Sequence, residues 1–148
     1  MPQLTRRRDK DPHRPGGWFI WYGDVRVGHI GTQAGVPLNL PQWAWSCGFY
    51  PGCDPRQQSN GTAGTFEEAR AGFEVAWNRL LPTLTEAHFE LWRHDRDWTA
   101  WKNRMWDASC RLPTQNTNGI SRCFCGAEIT NSTIGRHIRE THRGIGVA

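Results

Sequence analysis

Aromatic and β-branched residues form three short clusters in the first third of the chain. Two of them flank Gly23-Asp24 in the stretch WFIWYGDVRVGHI, and a two-residue Gly-Asp connection between such runs is typical of a β-hairpin. In the third cluster, QWAWSCGF, bulky residues alternate with small or polar ones, as expected of a strand with one bulky face. These bulky residues are Trp43, Trp45, Cys47 and Phe49. The pattern therefore predicts three strands.

The segment TFEEARAGFEVAWNRLL has the spacing of an amphipathic helix. Its apolar residues recur at intervals of three and four. Thr65 is placed to cap the helix, Glu68 completes a capping box, and Pro82 marks the end. The predicted apolar stripe consists of Ala69, Phe73, Ala76, Trp77 and Leu80.

A second, longer helix is predicted over about 85–108, in the segment TEAHFELWRHDRDWTAWKNRMWDA. Its spacing favours core packing over aromatic stacking on nucleic-acid bases, because this part of the chain is slightly acidic. The predicted core face consists of Leu91, Trp98, Trp101 and Met105. Within the same helix, the HDRD run is interpreted as a charged solvent face rather than a nuclease metal site. The charged residues of that run are His94, Asp95 and Asp97.

These elements predict an α+β fold. A three-stranded antiparallel sheet packs on an amphipathic helix, and a second long helix and a C-terminal zinc finger-like module follow. Residues 1–16 contain three prolines and almost no apolar residue, which indicates a disordered basic tail. The further divisions are the sheet with its helix (17–82), the Trp-rich helix (83–110), a polar linker (111–121) and the module (122–143).

The net charge of +4 is concentrated at the two ends of the chain. Residues 1–16 carry +3, residues 120–148 carry +2, and the segment between them carries −1. Basic ends suit a nucleic-acid partner, and the alternative is a solvated tail and a solvated helix face. The run Arg6, Arg7 and Arg8 is accordingly either a phosphate-binding arm or a solubilising tail.

The number of cysteines and the lack of a signal-peptide pattern indicate the cellular compartment of the protein. No run of 18 apolar residues exists, so no membrane span is expected, and no apolar segment of a signal peptide follows the basic start. An odd number of cysteines, five, without a secretory signal favours a reducing compartment. We expect a cytoplasmic, bacterial protein. Three of the thiols, Cys47, Cys53 and Cys110, are interpreted as buried or idle, with metal ligation as the alternative.

The C-terminal stretch SRCFCGAEITNSTIGRHIRETHRG contains four metal-binding side chains at suggestive spacing. Cys123 and Cys125 are separated by one residue, and His137 and His142 by four. Zinc binds thiolate sulfur and imidazole nitrogen in a tetrahedron, and paired zinc histidines are commonly separated by three to five residues. The pattern predicts one structural zinc ion, with a free-thiol turn and two surface histidines as the alternative.

The segment from Arg122 to His142 resembles a Cys2His2 zinc finger. Ile129 and Ile134 occupy the two apolar positions of that family, whereas the spacing between the cysteines and the span from Cys125 to His137 are each shorter than the common pattern. The resemblance implies base contacts from helix positions that correspond to Thr130, Thr133 and Arg136. It also implies phosphate contacts from Arg139 and Arg143.

The sheet-and-helix segment resembles the DNA-binding sheets of plant ethylene-response factors and integrase arm domains, in a helix cap, an acidic first turn and an apolar stripe. The remainder of the chain also resembles uncharacterised alphaproteobacterial proteins. The leading prediction is a non-enzymatic, zinc-binding, DNA-binding regulatory protein. The alternatives are a zinc-stapled protein-interaction adaptor with exposed tryptophans as anchors, and a metal-dependent hydrolase.

Overall fold

The computed structural model describes residues 2–13 and 16–147. Within these residues, the strands are β1 (Leu4–Arg8), β2 (Trp18–Tyr22), β3 (Val25–Thr32), β4 (Trp43–Cys47), β5 (Ser59–Ala63), β6 (Ile120–Arg122) and β7 (Glu128–Thr130). The helices are α1 (Phe66–Leu80), α2 (Glu86–Asp107) and α3 (Ile134–Thr141). The chain forms two compact units, Met1–Trp92 and Arg93–Ala148, and α2 contributes residues to both.

The sheet of the first unit has five antiparallel strands in the order β1-β2-β3-β4-β5, so the prediction of three strands is wrong. The class α+β and the hairpin β2–β3 at Gly23-Asp24 are confirmed. The additional strands, β1 and β5, have the sequences LTRRR and SNGTA. Neither sequence alternates apolar and polar residues, because each strand is held at a sheet edge mainly by backbone hydrogen bonds.

Strand β1 lies in the segment 1–16, for which the sequence predicts disorder. It pairs with β2 from Leu4 opposite Tyr22 to Arg8 opposite Trp18. Its arginines also cover aromatic rings of β2, because an arginine stem and guanidinium pack well on an indole. Arginine stacking of this kind leaves no trace in hydrophobic periodicity. The residues Met1, Arg14 and Pro15 of that segment lie outside the described part of the chain.

Helix α1 packs its apolar stripe on the sheet, as predicted. The buried members are Ala69, Phe73, Trp77 and Leu80, and Ala76 is half-buried. The Thr65 hydroxyl accepts the Glu68 backbone N–H at 3.2 Å, which confirms the cap. The Glu68 carboxylate reaches one residue further back than a capping box requires and accepts the Gly64 N–H at 3.1 Å.

Helix α2 buries most of its predicted core face. Trp101 and Met105 are fully buried, and Trp98 packs beside them in the second unit. Leu91 is 56% exposed, so its assignment to the core is wrong. In the first unit the helix buries Phe89 instead. Leu91 follows Phe89 by two positions, and side chains two positions apart on an α-helix point to nearly opposite sides.

Candidate metal centre

The four side chains that the sequence singled out come together in the second unit. One ligand atom from each of Cys123, Cys125, His137 and His142 lies within 4.8 Å of all the others. The Cys123 Sγ is 3.4 Å from the His142 Nε2, and the Cys125 Sγ is 3.5 Å from the His137 Nε2. Cys123 is buried, Cys125 is exposed and both histidines are half-buried. A group with this donor set and spacing could hold a metal ion.

A tight hairpin positions the two cysteines. Strands β6 and β7 pair from Ile120 to Arg122 and are joined through the CFC turn. The Cys123 N–H donates to the Ala127 carbonyl at 2.9 Å, and the Gly126 N–H donates to the Cys123 carbonyl at 2.8 Å. Gly126 has a φ of +96°, which favours glycine. A ββ hairpin therefore forms even with one residue between the cysteines.

Helix α3 supplies the two histidines. His137 lies in its second turn, and His142 follows its last residue as the C-terminal cap. The side of this short helix that lies between the two histidines is anchored, because Ile134 and Ile138 are buried in one core with Ile129 of β7. The two apolar positions of the finger resemblance, Ile129 and Ile134, are therefore occupied by core residues. This small core sets the distance between the hairpin and the helix.

Helix α2 completes the surroundings of the ligands. The indole Nε1–H of Trp101 donates to the Cys123 Sγ at 3.3 Å, and Trp101 is fully buried. The Phe124 ring packs against His142 with the ring centroids 4.9 Å apart, and the Arg104 guanidinium lies 4.8 Å from the Phe124 centroid. Groups that orient ligands in this way tune metal sites. Sequence reasoning placed Trp101 in the core, and no local signal identified its contact with the thiol.

Burial affects the protonation of two ligands in opposite senses. Desolvation raises the pKa of the Cys123 thiol, although hydrogen bonds from the Cys125 backbone and from Trp101 act against it. Desolvation lowers the pKa of the His142 imidazole, and the nearby His137 contributes in the same direction. The neutral imidazole is the form that binds a metal, whereas a thiol must first lose its proton. A metal cation would compensate the charge of the buried thiolate.

A buried carboxylate anchors the chain directly after the last ligand. Asp97 of α2 is only 4% exposed, so the solvent-face interpretation is wrong for this residue. Its carboxylate accepts the Gly144 N–H at 2.9 Å, the Gly146 N–H at 3.1 Å and the Arg96 Nε–H at 3.1 Å. Because Gly144 follows His142 by two residues, Asp97 helps to fix where the helix C-terminus and its histidine lie.

This anchor predicts a pH-dependent contribution to stability. Burial by itself raises the pKa of Asp97, but the hydrogen bonds from Gly144, Arg96 and Gly146 outweigh it and lower that pKa. The stabilisation is therefore present above the unfolded value of about 3.9 and is lost as the pH falls through the folded pKa. We expect Asp97→Asn to lower the free energy of unfolding by about 1–3 kcal/mol at pH 7.

Chemical denaturation of both proteins between pH 7 and pH 3 measures this effect. The difference between wild type and Asp97→Asn should shrink as the pH falls below about 4, because both then carry a neutral group. Asp95→Asn is the matched control, since Asp95 is an exposed neighbour on the same helix. A difference that is independent of pH would contradict the anchoring role of the carboxylate.

The residues of the module that are predicted to contact nucleic acid fall into two groups: two threonines that are hydrogen-bonded to each other, and three exposed arginines. Thr130 ends β7 and Thr133 caps α3, which begins only at Ile134. The Thr130 hydroxyl donates to the Thr133 hydroxyl at 3.2 Å, and the Thr130 N–H donates to the same oxygen at 2.8 Å. Both threonine side chains are therefore engaged in the local turn. The exposed cationic side chains are those of Arg136, Arg139 and Arg143.

The arginines of β1 do not form a single basic surface. Successive residues of a strand point to opposite faces, and the ring contacts follow this alternation. The guanidinium groups of Arg6 and Arg8 lie 4.5 and 4.8 Å from the Trp18 ring centroid, and that of Arg7 lies 4.4 Å from the Trp21 centroid.

The other three cysteines lie outside the cluster. Cys47 and Cys53 are buried in the core of the first unit, and burial raises the pKa of Cys47 to about 12. Cys110 is half-buried and packs at the edge of the second core. Buried thiols of raised pKa are chemically inert.

Among the described residues, no helix is long and apolar enough to cross a membrane.

Comparisons with known proteins found no significant match. No protein-family model matches the chain, and neither the curated proteins nor the solved structures include a significant match. The likeness to a Cys2His2 zinc finger therefore rests on the donor set, the hairpin, the helix and the two core isoleucines of the second unit.

Proposed function

We propose that the cluster binds one zinc ion. The observation that carries this proposal is the separation of the ligand atoms. Tetrahedral zinc with Zn–S of about 2.3 Å and Zn–N of about 2.0–2.1 Å places sulfur and nitrogen about 3.5–3.6 Å apart. Two of the four sulfur–nitrogen separations, Cys123–His142 and Cys125–His137, are 3.4 and 3.5 Å. Two thiolates and two imidazoles also match the softness of zinc better than that of magnesium or calcium.

The proposed role of the zinc ion is structural. Catalytic zinc sites keep three protein ligands and a position for water or substrate, whereas four protein donors close the tetrahedron. The donors join elements that bury little surface by themselves, a hairpin of three-residue strands and a helix of eight residues. A metal that links them stabilises the module directly, because binding free energy adds to folding free energy.

The proposed function of the module is nucleic-acid binding through the exposed face of α3. Arg136 and Arg139 project from this face, and neither forms an ion pair within residues 2–13 and 16–147. Arg143 follows on the segment that Asp97 anchors. Because Thr130 and Thr133 are engaged with each other, we propose phosphate contacts rather than base readout. Such binding positions a protein on nucleic acid without strong sequence preference.

Salt dependence tests this proposal. The logarithm of the affinity for a duplex should fall with the logarithm of salt concentration with a slope of about −3, since three phosphate contacts release their counterions. We expect the variant Arg136→Ala, Arg139→Ala, Arg143→Ala to lose most of this slope. Fluorescence anisotropy with a labelled 20-base-pair DNA duplex and with an RNA of the same sequence measures both quantities.

The matched control removes three exposed arginines of the first unit, Arg56, Arg70 and Arg79. Equal losses in both triple variants would show that charge in general, and not α3, carries the binding. Absence of binding at low salt would reject nucleic acid and favour the adaptor function. One observation supports that second candidate: Trp106, on the last turn of α2, is 82% exposed and available to a protein partner.

A further inference from the structure

A groove runs between α1 and the free edge of the five-stranded sheet. Its volume is about 640 Å³. Helix α1 forms one wall with Val75, Ala76 and Arg79. The other wall includes Ser59 of β5 and Arg56, which lies three residues before it. The Trp45 indole lines the space between these walls. The groove is thus lined by apolar, uncharged polar and cationic groups.

Two glycines allow the Trp45 ring to lie in the groove. A Cβ added at Gly61 of β5 would lie 2.7 Å from the ring, and one added at Gly72 of α1 would lie 2.6 Å from it. Both distances are shorter than a Cβ atom can approach a neighbouring atom, so a side chain at either position would displace the ring. The indole therefore lies directly against the backbone of the strand and of the helix. Both glycines are needed for this aromatic lining.

The strand beside the groove has an unused edge. Strand β5 pairs with β4 and ends the sheet, and no other described strand pairs with it. An edge strand presents outward N–H and C=O groups that another extended chain can pair with. Ser59, Gly61 and Ala63 face α1, because Ser59 lines the groove, Gly61 contacts Trp45 and Ala63 is buried in the core.

A strand added to β5 would follow the same alternation, so every second side chain would enter the groove. The apolar surface of Trp45, Val75 and Ala76 suits aliphatic side chains. The other side chains of the added strand should be acidic, because the groove is lined by arginines and by no acidic residue. Arg56 and Arg79 form no ion pair within the described ranges, so their guanidinium groups are available to carboxylates.

We propose that this groove binds an extended acidic peptide as a sixth strand on β5. Backbone hydrogen bonds would supply affinity, as in other cases of strand addition, and alternate side chains would supply selectivity. Aliphatic residues of the peptide contact Trp45 and Val75, and acidic residues pair with Arg56 and Arg79. This inference is independent of the nucleic-acid proposal, because it uses a different unit of the chain.

The probe is the acetylated and amidated peptide Glu-Thr-Val-Thr-Val-Thr-Glu. In an extended conformation it places two valines and two flanking glutamates on the same face. Titration of the full-length ¹⁵N-labelled protein, monitored by amide chemical shifts, should give saturable changes in β5 and in the groove-facing part of α1. The lysine-flanked peptide Lys-Thr-Val-Thr-Val-Thr-Lys should bind about tenfold more weakly or not at all.

Two protein variants and two modified peptides test the contributions of charge, of the apolar lining and of backbone hydrogen bonds to peptide binding. The double variant Arg56→Ala, Arg79→Ala should weaken binding about tenfold, and Val75→Glu, at a position 53% exposed, should do so by like-charge repulsion. Of two probes, each N-methylated at one of the two alternating sets of residues, one should not bind, because its N–H groups that face β5 are blocked. The matched control is Arg136→Ala, Arg139→Ala, which should bind the peptide normally and keeps this test separate from that of nucleic-acid binding.

Three results would overturn the proposal. They are saturable shifts that avoid β5, equal affinity for the acidic and the lysine-flanked peptides, and the absence of any shift at millimolar peptide. Each variant is checked for native amide dispersion before titration. Since Arg56, Val75 and Arg79 are all partly or largely solvent-exposed, these substitutions leave the core intact.

Discussion

We expect Cys125→Ser and His137→Ala each to abolish the proposed binding of one zinc ion and to unfold the β6–β7 hairpin and α3. Cys125 is exposed, so its replacement by serine alters no core packing. His137 is half-buried and is the one member of the four-residue cluster that lies within α3, since His142 is the cap. Structural zinc contributes roughly 10–16 kcal/mol in small metal-stabilised modules. A three-ligand remnant therefore leaves these short elements without their main source of stability.

Elemental analysis gives the metal content, and amide chemical shifts report which residues unfold. We expect one zinc per chain in the wild type and none in either variant after dialysis. The matched control is Cys110→Ser, which removes a half-buried thiol of the same unit outside the cluster. The proposal fails if the wild type contains no zinc when purified or reconstituted, or if Cys110→Ser loses the metal equally.

We expect Trp101→Phe to lower the affinity for zinc by about 10–100-fold, the usual effect of losing a group that orients a metal ligand. Phenylalanine keeps an aromatic ring in the fully buried position but cannot donate to the Cys123 Sγ. The thiolate then loses a hydrogen bond that disperses its charge. Trp101→Ala removes the ring as well and should lower the free energy of unfolding by about 3–5 kcal/mol.

Competition with a chromophoric chelator measures the zinc affinity, and denaturant unfolding of the zinc-loaded protein measures stability. Trp106→Phe is the control, because Trp106 lies on the same helix and is 82% exposed. It should change neither quantity. If Trp101→Phe binds zinc as tightly as the wild type, the indole N–H does not contribute to metal binding and Trp101 has a packing role only.

Local patterns in the sequence are sufficient to predict several elements and the four ligands. The α1 stripe, its Thr65 cap and the β2–β3 hairpin depend on residues a few positions apart, so the sequence contains the necessary information. The same holds for the spacing of the cysteines and of the histidines, which places each pair on one turn or one short helix. Ile129 and Ile134 indicate the small core between hairpin and helix by their positions relative to these ligands.

Tertiary structure decided the features that have partners far away in the chain. Strands β1 and β5 have no side-chain periodicity, because backbone pairing at a sheet edge requires none. Leu91 matches the spacing of a core residue, yet the neighbouring Phe89 is buried and directs Leu91 to solvent. Spacing alone cannot show which face of a helix finds a partner.

The sequence by itself determined the donor set of the candidate metal centre. Only the folded chain showed that Trp101, 22 residues before Cys123, donates to its thiol, and that Asp97, 47 residues before Gly144, anchors the segment after His142. Both contacts join residues distant in sequence, and neither has a local signature. The physical reason is that a hydrogen bond depends on where two groups meet, whereas a sequence pattern records only which groups are near each other along the chain.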